Sequence, residues 1–496
     1  MRRLVPLVLW IAIALAGTPV PAQDIPLPGP SVAFSHGPLR VSRNHRFLQQ
    51  RDGTPFLYLG DTAWELFHRL TREDAERYLE KRRQQGFTVI QAVVLAEFDG
   101  LTVPNAYGEL PLVNGDPATP NEKYFAHVDW IVRKAAEKGL VIGMLPTWGD
   151  KVLLEKWGKG PVIFPVDKPE ISQAWGRYLG ARYKSDENLI WILGGDRRGD
   201  GFEPVWNAMA AGLTEGDGGA HLKTYHPGGG HSSADWFHDA PWLDFDMVQS
   251  GHGARDIAND AMIDKDYART PRKPVLDGES RYENHPINWN PDNGYFDPHD
   301  VRQALYWSIF AGGMGATYGC HDVWQFHTPK TEPISSSRNY WYDVMNLPGA
   351  WQVLHLRRLL LSRPYFDRVP DQGMIEQGAT APGARPRATR GTDYAFVYLP
   401  TGAPVTLRMG RVAGAEVQAW WFNPRTGQAH VEGRYQNHFT HEFTPPGPQG
   451  VGNDWVLVLD DIDREFKPPG FRADDAAKAL QNEPRQPYVI APPVPR

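Results

Sequence analysis

Two carboxylates close short apolar runs in this chain. Asp196 ends Leu189-Ile-Trp-Ile-Leu-Gly-Gly-Asp196, and Glu279 ends Pro274-Val-Leu-Asp-Gly-Glu279. Each run is short, β-branched or aromatic in part, and stops at glycine, as a strand buried on both faces does. In a parallel barrel, residues just past the strand ends meet on one face, where active sites lie. Two acids brought there from different strands could hydrolyse a glycosidic bond. One would be a protonated acid beside the leaving oxygen, the other an ionised nucleophile roughly 5 Å away in a retaining enzyme. Their environments must then differ, with burial or a neighbouring charge raising the acid's pKa. A single such acid would more simply cap a helix or pair with an arginine, and Arg197 and Arg281 stand close by. Recurrence in matching contexts points to catalysis. Asp277 is a rival to Glu279 of the same strand parity, but two residues deeper, where a structural carboxylate is expected.

Polar and aromatic side chains recur at the other strand tips. Asp61 and Trp64 follow Leu59-Gly, Glu97 follows Val93-Val-Leu-Ala, and Trp148 and Asp150 follow Leu145-Pro-Thr. Arg197 comes next, then His226, then Gln249 and His252, then Arg281 and Tyr282, and finally Tyr318 and Trp324. These thirteen are the candidate substrate-binding residues. Eighteen tryptophans suit a saccharide, because indole faces stack on the apolar faces of sugars. Trp191 reads as core, whereas Trp64, Trp148 and Trp324 read as subsite residues. There is no GxSxG elbow, no HExxH helix and no Walker loop, so neither a serine hydrolase nor a cofactor enzyme is indicated. His321 and His327, six apart, could bind metal but read as hydrogen-bonding residues; no metal or cofactor is expected.

The elements that must carry these tips alternate strand and helix. A hairpin is expected over Leu39-Arg-Val-Ser and Phe47-Leu-Gln, with a turn at Asp52-Gly53. Thr71 and Asn121 read as N-caps of amphipathic helices ending before Gly86 and Gly139. Eight strand candidates follow from Phe56-Leu-Tyr-Leu, Thr88 to Leu95, Leu140 to Leu145, Leu189 to Leu193, Leu222 to Tyr225, Met247 to Gln249, Pro274 to Leu276 and Ala316 to Tyr318. That is a (β/α)8 TIM barrel over residues 30–365. An open doubly wound sheet is the runner-up, disfavoured because no phosphate-cradling glycine motif follows any strand. Beyond Ser362 the pattern turns to short strands, Tyr394 to Leu399, Val405 to Met409, Val417 to Phe422 and Trp455 to Leu459. These predict a C-terminal all-β sandwich over 366–466. Residues 467–496 read as a proline-rich tail.

At 496 residues the chain exceeds a single core, in line with two domains. A formal net charge of -6 gives no basic footprint and argues against nucleic acid as partner. Arg2-Arg3, an apolar run from Leu4 to about Ala16 and small residues up to Ala22 predict a cleavable signal peptide, residues 1–22. No later stretch is long and apolar enough to span a bilayer. The sole cysteine, Cys320, has no disulfide partner, so a bacterial periplasmic or secreted enzyme held by its core is expected.

The chain resembles the apiosidase-like glycoside hydrolases (family 140). The matching stretches are Gly60-Asp-Thr-Ala-Trp-Glu-Leu-Phe-His, Gly86-Phe-Thr-Val-Ile-Gln and Pro104-Asn-Ala-Tyr-Gly. Also matching are Leu145-Pro-Thr-Trp-Gly-Asp, Ile190-Trp-Ile-Leu-Gly-Gly-Asp, Gln249-Ser-Gly-His and Lys273-Pro-Val-Leu-Asp-Gly-Glu. They span about residues 55 to 345. The resemblance implies a retaining mechanism with an aspartate acid/base and a glutamate nucleophile, roles that fall on Asp196 and Glu279. It further implies action on apiosyl linkages of the pectic polysaccharide rhamnogalacturonan II. The small domain looks like the collagen-binding-like domain that accompanies the family, though nothing in 366–466 reads as a collagen groove. The alternatives are a glycosidase of other sugar specificity, a non-catalytic polysaccharide-binding or adhesion protein on a barrel scaffold, and an esterase or lyase.

Overall fold

The computed structural model describes residues 26–155 and 157–471. The expected signal peptide and most of the expected tail lie outside the described residues. Eight parallel strands form the barrel: β1 Tyr58–Thr62, β2 Val89–Val93, β3 Val141–Leu145, β4 Leu189–Gly194, β5 Lys223–His226, β6 Asp246–Gln249, β7 Val275–Glu279 and β8 Gly315–Tyr318. All eight overlap the runs singled out from sequence, except that Phe56 of the first run belongs instead to a small antiparallel sheet with the expected hairpin, Leu39–Val41 and Leu48–Gln50. The barrel strands are buried along their whole length, which is why they read as apolar runs rather than alternating ones. Neighbours pair in the order β5-β4-β3-β2-β1-β8-β7-β6. The seam between β5 and β6 is closed without a regular ladder. Thr224 Oγ1 donates to the Phe245 carbonyl at 2.7 Å, and the Asp244 amide to the Lys223 carbonyl at 2.9 Å. A ninth strand, His231–Ser232, runs antiparallel to β6. At two residues it is too short to leave a periodic signal.

The main helices are α1 Arg72–Gln84, α2 Glu122–Glu137, α3 Pro169–Tyr183, α4 Glu203–Asp217, α5 Asn259–Tyr267, α6 Pro298–Phe310 and α7 Pro348–Leu361. The Thr71 side chain accepts from the Asp74 amide and that of Asn121 from the Lys123 amide, so both caps form as expected. Under the barrel, the segment before the N-terminal hairpin straps the ends of α1 and α2. The Leu27 amide donates to the Gln84 carbonyl, and those of Ser31 and Val32 to the Lys138 and Gly139 carbonyls.

The C-terminal domain is all β. Its longer strands are β9 Arg387–Arg390, β10 Tyr394–Leu399, β11 Val405–Arg408, β12 Glu416–Asn423, β13 Gln428–Gln436, β14 Thr440–Phe443 and β15 Trp455–Asp461. A six-stranded sheet, from Val369–Pro370 through β9, β10, β15 and β12 to β13, faces a three-stranded one of Ile375–Gln377, β11 and β14. The inner faces bury Val397, Leu407, Trp421 and Leu457 as a separate core. The outer face of β10 packs on α6, where Tyr398 stacks on Tyr306 at 4.8 Å and Phe396 on Phe310 at 5.9 Å. Buried ion pairs complete the join, Arg302 to Asp454 at 2.7 Å and Arg363 to Asp460 at 2.6 Å.

Candidate active site

Asp196 lies two residues past β4, in a turn the sequence makes possible with glycine. Gly194, Gly195 and Asp196 all have positive φ, at 87°, 109° and 54°. A Cβ on Gly194 would sit 2.3 Å from the His226 carbonyl oxygen, and one on Gly195 2.8 Å from the Gly149 amide nitrogen. Only glycine fits both positions. Asp196 itself takes the left-handed conformation, which an aspartate tolerates better than most residues. The turn swings its carboxyl over the C-terminal mouth.

Glu279 is aimed by a different device. Val248 pairs with Asp277 and Gln249 with Glu279, leaving Gly278 as an extra residue in β7. Such a bulge re-aims the side chain that follows it. Asp277 and Glu279 are therefore two residues apart yet do not share a face, contrary to the parity expected from sequence. Asp277 points at the helices, accepting from Ser250 Oγ at 2.8 Å and Asn259 Nδ2 at 3.1 Å. It is a satisfied structural carboxylate. Glu279 points into the mouth, where His252 Nε2 meets its Oε1 at 2.9 Å and His226 Nε2 approaches Oε2 to 3.0 Å.

An oxygen of Asp196, an oxygen of Glu279 and a nitrogen of His226 lie within 4.8 Å of one another. The two carboxyls nonetheless differ in environment. Burial favours the neutral acid in Glu279, but hydrogen bonds and charge from His226 and His252 outweigh it and hold the pKa down to about 2. Asp196 is raised to about 6, by burial and then by the Glu279 charge, against the pull of His226 and Arg197. Its side chain is 37% exposed where that of Glu279 is 5%, so solvent at the mouth tempers the burial contribution. Opposed shifts in adjacent carboxyls are what acid–base division of labour requires.

Both acids open into a cavity of about 110 Å³. Of the expected binding residues, Trp64, Glu97, Trp148, Gln249, His252, Tyr282 and Trp324 line it. Glu97 is buried and held well above the usual carboxylate range, by desolvation first and then by the charges of Glu65, Asp196, Asp150 and Glu279. Gln249 Oε1, His252 Nδ1 and the Tyr282 hydroxyl are buried without a hydrogen bond to the protein, and Asp196 Oδ1 has the His226 imidazole 3.8 Å away. Such a convergence of unspent hydrogen-bonding groups suits a polyhydroxylated ligand.

The other six expected binding residues are turned elsewhere. Asp61 accepts from Arg82 Nε at 2.6 Å and from the Tyr78 hydroxyl, pinning α1 to β1. Asp150 accepts from Lys151 Nζ at 2.8 Å and from the Phe98 and Lys159 amides, tying two mouth loops together. Arg197 donates to the Leu153 and Asp196 carbonyls. Arg281 runs under α6 to Gln303 Oε1 at 2.9 Å. Tyr318 donates to Glu283 at 2.7 Å. His226 is fully buried beneath the carboxylates, with Trp64 edge-on at 5.2 Å, so it touches the acids from behind the cavity wall. Strand-tip position identifies a residue's height in the barrel but not the direction of its side chain.

His321 also lines the cavity and is the hydrogen-bonding residue expected from sequence, whereas Phe98, Trp157, His285, Trp289, Ile334 and Ser335 of the lining were missed. They sit in loops, where no periodicity marks them. His321 accepts from Trp324 Nε1 at 3.2 Å and faces the Ile334 and Ser335 carbonyls through Nε2, so it is neutral; burial pulls its pKa down to about 4. With both nitrogens engaged it does not join His327 as a metal ligand. Asp196, His226 and Glu279 could themselves face a cation, as could Asp297, His299 and Asp300. In the second group Asp297 and Asp300 already form the capping box of α6, and His299 meets the Pro400 carbonyl.

The "Apiosidase-like, catalytic domain" family matches residues 42–367, and the "Putative collagen-binding domain of a collagenase" family matches residues 369–460. A solved "Glycoside hydrolase" is 36% identical, covering 88% of this chain and 99% of its own, with a TM-score of 0.81. A glycoside hydrolase family 5 structure from Bacteroides vulgatus is 33% identical over 90% and 98% of the two chains, at a TM-score of 0.82. None of the curated proteins matches the chain. The barrel, its C-terminal mouth with two unlike carboxyls, and these matches agree: the chain belongs to the apiosidase-like family of glycoside hydrolases.

Proposed function

We propose that the protein is a retaining glycosidase of plant cell-wall pectin, cleaving apiosyl linkages of rhamnogalacturonan II, with Glu279 as nucleophile and Asp196 as acid/base. The observation that carries the mechanism is the approach of the two carboxyls to within 4.8 Å. Retaining pairs stand about 5–5.5 Å apart, whereas inverting pairs are farther separated to admit a water between them. The ionised Glu279 attacks the anomeric carbon while the Asp196 carboxyl gives its proton to the departing glycosidic oxygen. That leaves a glycosyl ester on Glu279 and an ionised Asp196. Asp196 then takes a proton from water, whose oxygen displaces Glu279 and restores the starting configuration. The family to which the chain belongs supports the apiosyl specificity. Export to the periplasm or beyond is supported by the basic pair and apolar run at residues 2–16.

Incubation with defined pectic oligosaccharides should release fragments cut only at apiosyl bonds; release of other sugars alone would refute the specificity. For the mechanism, Glu279→Gln should be inert on every glycoside. Asp196→Asn should keep activity on aryl glycosides with good leaving groups, and azide should restore turnover as a glycosyl azide of retained configuration. A product of inverted configuration from the wild type would exclude the retaining assignment.

A further inference from the structure

The bulged end of β7 is held from both sides by residues that lead to the C-terminal domain. Two positions before Glu279, Asp277 accepts from Asn259 Nδ2 of α5, and the same amide donates to the Ala304 carbonyl at 2.8 Å and Ser308 Oγ at 2.9 Å of α6. Two positions after Glu279, Arg281 donates to the Gln303 side chain of α6 at 2.9 Å. Both helices are in turn gripped by one short segment of the C-terminal domain, residues 383–387. The Gln303 amide donates to the Gly383 carbonyl, and Trp307 Nε1 to the Arg385 carbonyl at 3.2 Å. Arg385 reaches Asp260 at 2.9 Å, and Arg387 reaches Asp264 at 2.7 Å, both on α5. Gln303 is thus one buried amide with Arg281 on its oxygen and Gly383 on its nitrogen.

We propose that segment 383–387 is a positioning element for Glu279, fixing the bulged end of β7 through Gln303 on one side and α5 on the other. A bulge is the part of a strand its ladder holds least, because the extra residue has no partner. Gly278 adds backbone freedom at that point. Glu279 needs a fixed place between His226 and His252, and a misplacement of 1 Å can cost on the order of a hundredfold in rate. The clamp supplies what the ladder lacks. The C-terminal domain would then act on the chemistry without contributing a group to the cavity, with Gln303, Arg385 and Arg387 as positioning residues.

This inference rests on Glu279 being the nucleophile, and the test separates the two. Gln303→Met removes both bonds at similar volume, and the double change Arg385→Met with Arg387→Met releases α5. On 4-nitrophenyl β-apiofuranoside each should lower kcat about tenfold with little change in KM, while circular dichroism shows the fold intact at the assay temperature. Nitrogen-edited NMR of the histidine side chains, with His252 assigned by its loss in His252→Gln, should show its Nε2 signal shifted in both variants. Unchanged kcat with an unmoved His252 signal would overturn the proposal, as would a loss that merely follows the folded fraction. Acid-quenched wild type, labelled with 2,4-dinitrophenyl β-apiofuranoside and mapped by mass spectrometry, should carry the sugar on Glu279. A label elsewhere would defeat the nucleophile assignment, and the His252 signal would still decide whether the clamp holds Glu279 in place.

Discussion

Replacing Glu279 by glutamine should lower the pKa of Asp196, and the size of the fall follows from the geometry. In the folded protein Asp196 sits at about 6, with the Glu279 charge as a principal neighbour. Two unit charges no more than 4.8 Å apart at an effective dielectric of 20 interact by at least roughly 3.5 kcal/mol, or about 2.5 pKa units. Solvent at the 37%-exposed Asp196 side chain screens part of this. The variant also removes what holds the His226 pKa up, so His226 loses some of the positive charge that favours ionised Asp196. A net fall of about 1–2 units is expected, to roughly 4–5. Carbon-detected NMR titration of the aspartate carboxyls, with Asp196 assigned by its loss in Asp196→Asn, measures it. Forming the glycosyl ester neutralises Glu279 in the same way, so the fall is also what would turn Asp196 from acid into base between the two steps. In the wild type, kcat/KM should be highest between the two values, with Glu279 ionised above about 2 and Asp196 protonated below about 6. It should decline as pH rises through 6. An Asp196 pKa that stays near 6 in the glutamine variant would refute the electrostatic argument.

Glu97, whose pKa burial and the neighbouring carboxyls raise well above the usual range, should be replaceable by glutamine with kcat/KM kept within about threefold if it works protonated, whereas alanine should lose about tenfold, the worth of a neutral hydrogen bond. Steady-state kinetics on one substrate checks this, and a glutamine variant as poor as the alanine one would mean that Glu97 works ionised. Arg302→Ala should leave Asp454 uncompensated at the domain join and destabilise the fold by about 3–5 kcal/mol, seen as a lower denaturation midpoint. Replacing both partners with apolar residues should recover much of that loss, and a single variant as stable as the wild type would show that the pair is not structural.

The barrel was legible because its parallel strands are buried on both faces, so they stand out as short apolar runs such as Leu189 to Leu193, with helical spacing between most of them. Parts of the C-terminal domain were not. β13, Gln-Ala-His-Val-Glu-Gly-Arg-Tyr-Gln, is an edge strand with little buried surface, and its composition is that of a loop. Trp289 and His285 line the cavity from a loop after β7, where no spacing announces them. Asp61 and Tyr318 look like mouth residues by position, but Arg82 and Glu283 claim them from outside the cavity. Those partners stand 21 and 35 residues away in the chain, and no local pattern joins them. The choice of Glu279 over Asp277 rested on depth along the strand, whereas the bulge at Gly278 is what separates them.

The strap beneath the barrel has a practical meaning for how the molecule can be handled. Leu27, Ser31 and Val32 are bonded to the ends of α1 and α2, where the chain is about to enter β2 and β3. The Arg357 guanidinium closes over the same place by donating to the Ser31 hydroxyl and carbonyl. The chain therefore enters the fold at the pole opposite Asp196 and Glu279. A tag, linker or solid support attached ahead of residue 26 would leave from that closed pole and keep the open one clear. Immobilised through its front end, the protein would present its mouth outward, toward the solution rather than the support.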